Sequence, residues 1–242
     1  MFKLDSDVKQ ILAVSAAALL LLIIASVYIG GQNRFESGFS SENMTGGVPL
    51  LSEGDELSYT AEAGGNRTNI TVVAKGRDVQ KGCVLLEQRY REYVTSVCYS
   101  EVNGSEAYIL MNGTPVGQGE FATLPAIHAF EPWMIGASVG WSGRVTMSAN
   151  MGASGILGAF EVTYRCTWIG NVSGRRALRV DSEIFAVRGS GLGNAMEKSA
   201  IGRRTVWVDL EKRVMLKEES SVWGINSSQL LSRAPFPLNL TG

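Results

Sequence analysis

The sequence predicts a mainly β protein: an N-terminal transmembrane helix followed by a curved antiparallel sheet built from two repeated four-stranded units. Three observations carry this expectation. Residues 11–29 form an uncharged apolar run, the chain beyond Asp55 alternates apolar and polar residues in short segments, and the second half of that alternating region repeats the pattern of the first.

The apolar run, ILAVSAAALLLLIIASVYI, contains nineteen residues broken only by Ser15 and Ser26. As a helix it would reach roughly 28 Å, about the hydrocarbon thickness of a bilayer. A removable signal has a shorter apolar region and a small-residue cleavage site. Here the exit reads Ser26-Val27-Tyr28-Ile29, so the run reads as a retained anchor. Lys3 and Lys9 precede it and Arg34 follows, which favours residues 1–10 as a cytoplasmic N-terminus.

Eight of the eleven asparagines begin Asn-x-Ser/Thr with x not proline: Asn43, Asn66, Asn69, Asn103, Asn112, Asn171, Asn226 and Asn239. All follow the apolar run. A glycan has to stand on solvated surface, so this excess reads as N-glycosylation of a domain outside the cytoplasm. The expected location is therefore the cell membrane, single-pass, with the C-terminal domain outside. The formal net charge of −1 supplies no basic field for nucleic acid, which is excluded as a partner.

Residues 30–52 are rich in Gly, Ser and Asn without an apolar period and read as a linker. Residues 53–242 then read as one β-domain. Segments such as ELSYTAE, TNITVVAKG, CVLLEQRY, YVTSVCYSE and EAYILMNG alternate with period two between Gly or Asn boundaries, the pattern of antiparallel strands. The pairs Asn103-Gly104 and Asn112-Gly113 suit tight turns, since both residue types tolerate positive φ.

The repeat halves fall at about 53–115 and 137–223. Without a gap, Val72–Gln88 lies against Cys166–Ser182, matching Gly76 with Gly170, Val84 with Leu178, Leu86 with Val180 and Glu87 with Asp181. Tyr99–Leu110 lies against Trp207–Glu218 if the second half takes an insertion around VRGSGLGNAMEKSAIG. Two such units are expected to continue one curved sheet, because a hairpin pair alone cannot bury its apolar face. Between them, FATLPAIHAFEPWMIG, residues 121–136, is strongly apolar, with Pro125 and Pro132 preventing one continuous helix. It is placed to cross one face of the sheet.

Several elements together resemble the half-barrel proteins of the LolA-like class and related exported β-domains. They are Gly54 and Gly140 near the start of each half, the Gly-centred stretches Lys75–Leu86 and Ile169–Val180, and Tyr99–Glu101 and Trp207–Asp209 opening the last hairpins. The resemblance implies a half-barrel that holds a lipid or other apolar ligand beneath a short helical lid. The residues it would assign to ligand binding are Phe130, Trp133, Met134, Ile135 and Trp141. The alternative is a core sealed by its own lid. A membrane anchor and dense sequons depart from the soluble carriers of that class.

Three cysteines in an exported chain favour one disulfide and one spare thiol. Cys83 and Cys98 stand opposite each other if their hairpin turns near Tyr90-Arg91, and Cys166 then remains as a buried apolar residue. A pairing with Cys166 is the other arrangement. No paired Cys-x-x-Cys is present and His128 is the single histidine, so no metal or other cofactor is expected.

Gly136-Ala137-Ser138-Val139-Gly140 has the form of a nucleophile elbow, but His128 precedes the serine and a strand pattern follows it, against the order that elbow requires. GSGLG, residues 189–193, lacks the register of a phosphate loop and reads as a hairpin tip. Glu87 and Asp181 fall on a solvated face, near Arg89, Arg91, Arg175 and Arg179. The expected protein is therefore not an enzyme. It binds a hydrophobic ligand, or serves as a structural or interaction subunit beside membrane-protein partners.

Overall fold

A computed structural model describes residues 39–42, 47–102, 104, 106–115, 129–150, 157–189 and 196–239. Among these the chain is almost entirely strand. The strands are β1 (Phe39–Glu42), β2 (Glu56–Ala63), β3 (Asn66–Asp78), β4 (Cys83–Tyr90), β5 (Tyr93–Ser100), β6 (Glu106–Met111) and β7 (Thr114–Pro115). They continue as β8 (Ser142–Asn150), β9 (Leu157–Val172), β10 (Arg175–Gly189), β11 (Met196–Asp209), β12 (Met215–Val222) and β13 (Ile225–Arg233). One 3₁₀ turn, Pro132–Met134, interrupts them.

All the described strands join one antiparallel sheet in the order β1-β8-β9-β10-β11-β12-β13-β2-β3-β4-β5-β6-β7. This corrects the expected fold in two ways. Each half is a meander of six strands rather than a four-stranded unit, and β13, beyond the expected end of the second half at 223, pairs with β2 to fuse the two meanders. In addition, the expected transmembrane helix does not stand. No helix among the described residues is long and apolar enough to cross a membrane, the one helical turn has three residues, and residues 11–29 lie outside those described.

The topology explains the mid-chain segment. β7 lies at one edge of the sheet and β8 next to the other, and of the connection between them residues 129–141 pack against the inner face. Phe130 packs edge-on against Tyr99 of β5 with ring centroids 5.1 Å apart, and Trp133 packs on Tyr164 of β9 at 5.4 Å. Those two strands stand eight places apart in the strand order. On a flat sheet with strands ~4.8 Å apart they would be roughly 38 Å apart. Residues three positions apart in the crossing segment reach both, so the sheet curls around it.

Alternation decides the two faces. Leu57, Tyr59, Ile70, Val72, Leu86, Val97, Val162, Val180, Val206 and Leu231 are all buried in one cluster on the inner face. Tyr59 adds a hydroxyl that donates to the Met215 carbonyl at 2.8 Å, and burial pushes its pKa far up.

The repeat is present with a shifted register. β3 and β4 are joined by a four-residue turn between Asp78 and Cys83, β9 and β10 by a two-residue turn between Val172 and Arg175. Leu86 pairs with Ala74, and its counterpart Val180 pairs with Cys166. Cys166 thus takes the place of Ala74, not Val72, because the ungapped comparison could not see the shorter turn.

The segment read as linker also contributes. Phe39–Glu42 pairs with β8, and Val48 and Leu51 pack against the core. At Gly104, φ is +72° and a Cβ would lie 2.4 Å from the carbonyl oxygen of Gly47, so only glycine permits that approach.

Candidate functional site

Two regions carry functional potential: the lid on the inner face and an open basin on the outer one. The lid begins where Ala129 accepts a hydrogen bond from the Met215 amide at 2.9 Å. Pro132 starts the 3₁₀ turn, for which its fixed φ is suited. Phe130, Trp133 and Met134 are 1%, 1% and 0% exposed. Ile135 and Trp141 are half-buried against the same cluster. The five residues assigned to a ligand by resemblance therefore all lie against the one core cluster, three of them buried in it. Trp133 stacks on Trp141 with centroids 5.7 Å apart and 8° between planes.

A polar group missed by sequence reading ties the lid down. Arg204 of β11 is 5% exposed and pairs through Nη1 with Glu131 of the lid at 2.6 Å and through Nη2 with Glu218 of β12 at 2.9 Å. Burial alone would lower the Arg204 pKa, but the two carboxylates outweigh it and hold it above the ordinary value. The Trp133 indole N–H donates to the other Glu131 oxygen at 2.6 Å. Arg213 donates to the carbonyl oxygen of Ala137 at 2.8 Å. The signal was available in the alternation: Arg204 and Val206 share a face, as do Glu218 and Leu216.

The turn after β11 is built on another buried acid. Asp209, 1% exposed, accepts from Arg175 at 2.7 and 3.1 Å and from the amides of Glu211 and Lys212 at 2.8 and 2.7 Å. Burial raises its pKa, but the Arg175 hydrogen bond and the two amides prevail and leave it lowered. This contribution is complete above the unfolded carboxylate range and disappears as pH falls through the depressed folded value. Asp209→Asn is expected to cost about 1–3 kcal/mol at neutral pH. Urea titrations of both proteins from neutral to acidic pH should converge as the wild type loses this term.

Cys83 and Cys98 form a disulfide with Cα atoms 5.5 Å apart. They are not directly opposite: Cys83 pairs with Ser100 and Cys98 with Leu85, so the bridge runs diagonally. The turn falls at Arg91-Glu92, with Arg91 at φ 52°, one residue later than the sequence suggested. Cys166 is a free thiol, 2% exposed, and burial pushes its pKa up, away from reactivity.

Ser138 is exposed, preceded by the 3₁₀ turn and followed by β8, the reverse of a strand-to-helix elbow. His128 lies outside the described residues, and of residues 189–193 only Gly189, the last of β10, lies inside them. Glu87 pairs with Arg89 at 2.6 Å and Lys75 at 3.6 Å, and Asp181 with Arg179 at 3.0 Å, all on the outer face. Among the described residues no group of three His, Cys, Asp or Glu could hold a metal ion. Asn66, Asn69, Asn112, Asn171, Asn226 and Asn239 are all exposed, while Asn43 and Asn103 lie outside the described residues.

On the face opposite the core, β10, β11, β12, β13 and β2 enclose an open basin of about 1060 Å³. Its floor is two cross-strand rows. Asp181, Thr205, Glu219, Ser228 and Glu62 pair in sequence along one, and Glu183, Arg203, Ser221 and Asn226 along the other. Along the neighbouring row, Arg179 and Lys217 lie over the ring of Trp207 at 5.8 and 4.9 Å, a cation–π arrangement that leaves that indole little free face.

No family model matches the chain, and no curated protein does. Among solved structures, it is similar to a Bacteroides fragilis protein described as exported with a YmcC-like fold. The identity is 11%, the TM-score 0.38, and the likeness covers 79% of this chain and all of that one. The Escherichia coli lipoprotein YmcC gives 10% identity and a TM-score of 0.37 over 77% of this chain and 90% of its own. A Parabacteroides distasonis protein described as a lipoprotein gives 11% and 0.37 over 80% and 100%. At this distance the likenesses fix neither family nor function.

Proposed function

We propose that this chain is a non-catalytic extracytoplasmic β-domain that acts as an interaction subunit through its outer surface. The observation that carries the reading is the fastened lid: Phe130, Trp133 and Met134 are buried in the core rather than held open, and Glu131 between them is tied to buried Arg204. A disulfide in the first meander and exposed Asn-x-Ser/Thr sites support an oxidising, glycosylating compartment. The near-neutral charge does not support nucleic-acid binding, and Glu87 and Asp181, each paired with an arginine, do not support acid–base catalysis.

The second reading is a carrier of a lipid or other apolar molecule. It is favoured by the continuous aromatic group Trp133, Trp141 and Tyr164, which an apolar ligand would enter by displacing the lid. Native mass spectrometry of the full chain, purified from a lipid-containing host, separates the two. The expected result is no lipid adduct that depends on Ile135, a half-buried lid residue that packs against the core without being one of its buried aromatics. An adduct present in the wild type and lost in Ile135→Glu overturns the interaction-subunit reading. An adduct common to both does not involve the lid and leaves the closed core standing.

A further inference from the structure

We propose that the outer basin is the seat of the chain's own N-linked glycan at Asn226, which folds back onto the sheet and covers it. The inference rests on the extracytoplasmic reading above, since it needs a glycosylating compartment. Asn226 begins the sequence Asn-Ser-Ser, is exposed, and lines the basin. Its side chain is directed onto the basin floor by register: on β13, Gln229 and Leu231 are buried inward, so Asn226, Ser228 and Leu230 face out. Through Ser221 it stands in one row with Arg203 and Glu183.

The chemistry of that floor suits a neutral polyhydroxylated occupant. The side chains of Glu62, Glu183, Arg203, Ser221 and Ser228 have no hydrogen-bond or ion-pair partner among the described residues. Opposite charges and hydroxyls are interspersed, which offers a sugar both donors and acceptors. Asp181, by contrast, is already satisfied by Arg179 and by the Thr205 hydroxyl at 2.8 Å. Gly64, Gly65 and Gly224 line the basin, and a Cβ on any of them would meet nothing within 4 Å apart from its chain neighbours. The basin is about 1060 Å³, and drug-sized ligands fill pockets of about 300–1,000 Å³, so several sugar rings fit.

The test uses the full chain from a host that modifies Asn-x-Ser/Thr, treated without denaturant with a peptide N-glycosidase and followed by glycopeptide mass. Asn171, exposed near the turn at the other end of β9, is the internal control. Two or three surface hydrogen bonds of ordinary net strength should slow release at Asn226 about tenfold relative to Asn171. The double variant Glu183→Ala/Arg203→Ala, both exposed positions, should bring the two rates together. Equal rates in the wild type overturn the proposal. So does slow release that the double variant leaves unchanged, which would mean steric shielding alone. An unmodified Asn226 with a glycan at Asn171 overturns the proposal while sparing the extracytoplasmic reading. An absence of glycan at every site overturns both.

Discussion

Arg204→Met is expected to destabilise the fold by about 3–5 kcal/mol, because it strips the cation from two carboxylates held inside the protein. The arginine side chain is 5% exposed, Glu218 7% and Glu131 19%. With the guanidinium gone, the buried Glu218 loses its ion pair with Arg204 and Glu131 loses its own, keeping the Trp133 indole as a donor. The effect should be asymmetric. Glu131→Gln leaves the Arg204–Glu218 pair intact at the sheet and is expected to cost less, roughly 1–2 kcal/mol. The triple variant Arg204→Met/Glu131→Leu/Glu218→Leu should recover most of the loss, since apolar replacement of a buried ion group is often neutral or better. Urea denaturation followed by tryptophan fluorescence gives all three midpoints, with an unchanged slope showing that the unfolding transition stays comparable. A loss below about 1 kcal/mol for Arg204→Met would be the value of a surface pair. It would mean that the lid is not fastened by this contact.

The same residues show what the sequence could and could not reveal. Strands such as β2 and β4 were legible because Leu57, Tyr59 and Leu86 are each flanked by half-exposed or exposed neighbours. β13 was not, because Ile225–Arg233 reads as a polar tail: its inward positions are Ile225, Ser227, Gln229 and Leu231, and two of the four are polar. That strand is nevertheless the seam between the meanders, and Gln229 sits buried opposite Glu218, the ion-pair partner of Arg204. The rule that charges mark the solvated face therefore failed where an ion group is buried as a unit. Turn chemistry limited the register in a similar way. Arg91 adopts a positive φ of 52° without being glycine and without a glycine beside it in the turn, so composition gave no signal for where that hairpin reverses. The lid was legible in both composition and place, since a stretch so apolar between two sheet halves has to be buried. What it fastens to depended on pairing across β10, β11 and β12, which no local pattern encodes.

Trp133→Ala is expected to cost about 3–5 kcal/mol, the range for removing a large buried aromatic. The side chain is 1% exposed and lies against Trp141 and Tyr164. Two contributions can be separated. Trp133→Phe keeps most of the apolar volume and removes the indole donor to Glu131, so it should cost roughly 1–3 kcal/mol, the penalty of leaving a partly buried acceptor with one donor fewer. The remainder in the alanine variant is the cavity. That cavity also decides between the two functional readings, because an engineered apolar void in a packed core takes up small apolar molecules. If the lid seals a filled core, the wild type should bind no benzene or xenon at this site, and Trp133→Ala should bind it and regain part of its lost stability in proportion to occupancy. If the wild type already takes up the probe there, Trp133 is the gate of an existing cavity. The fastened lid would then cease to support the interaction-subunit reading.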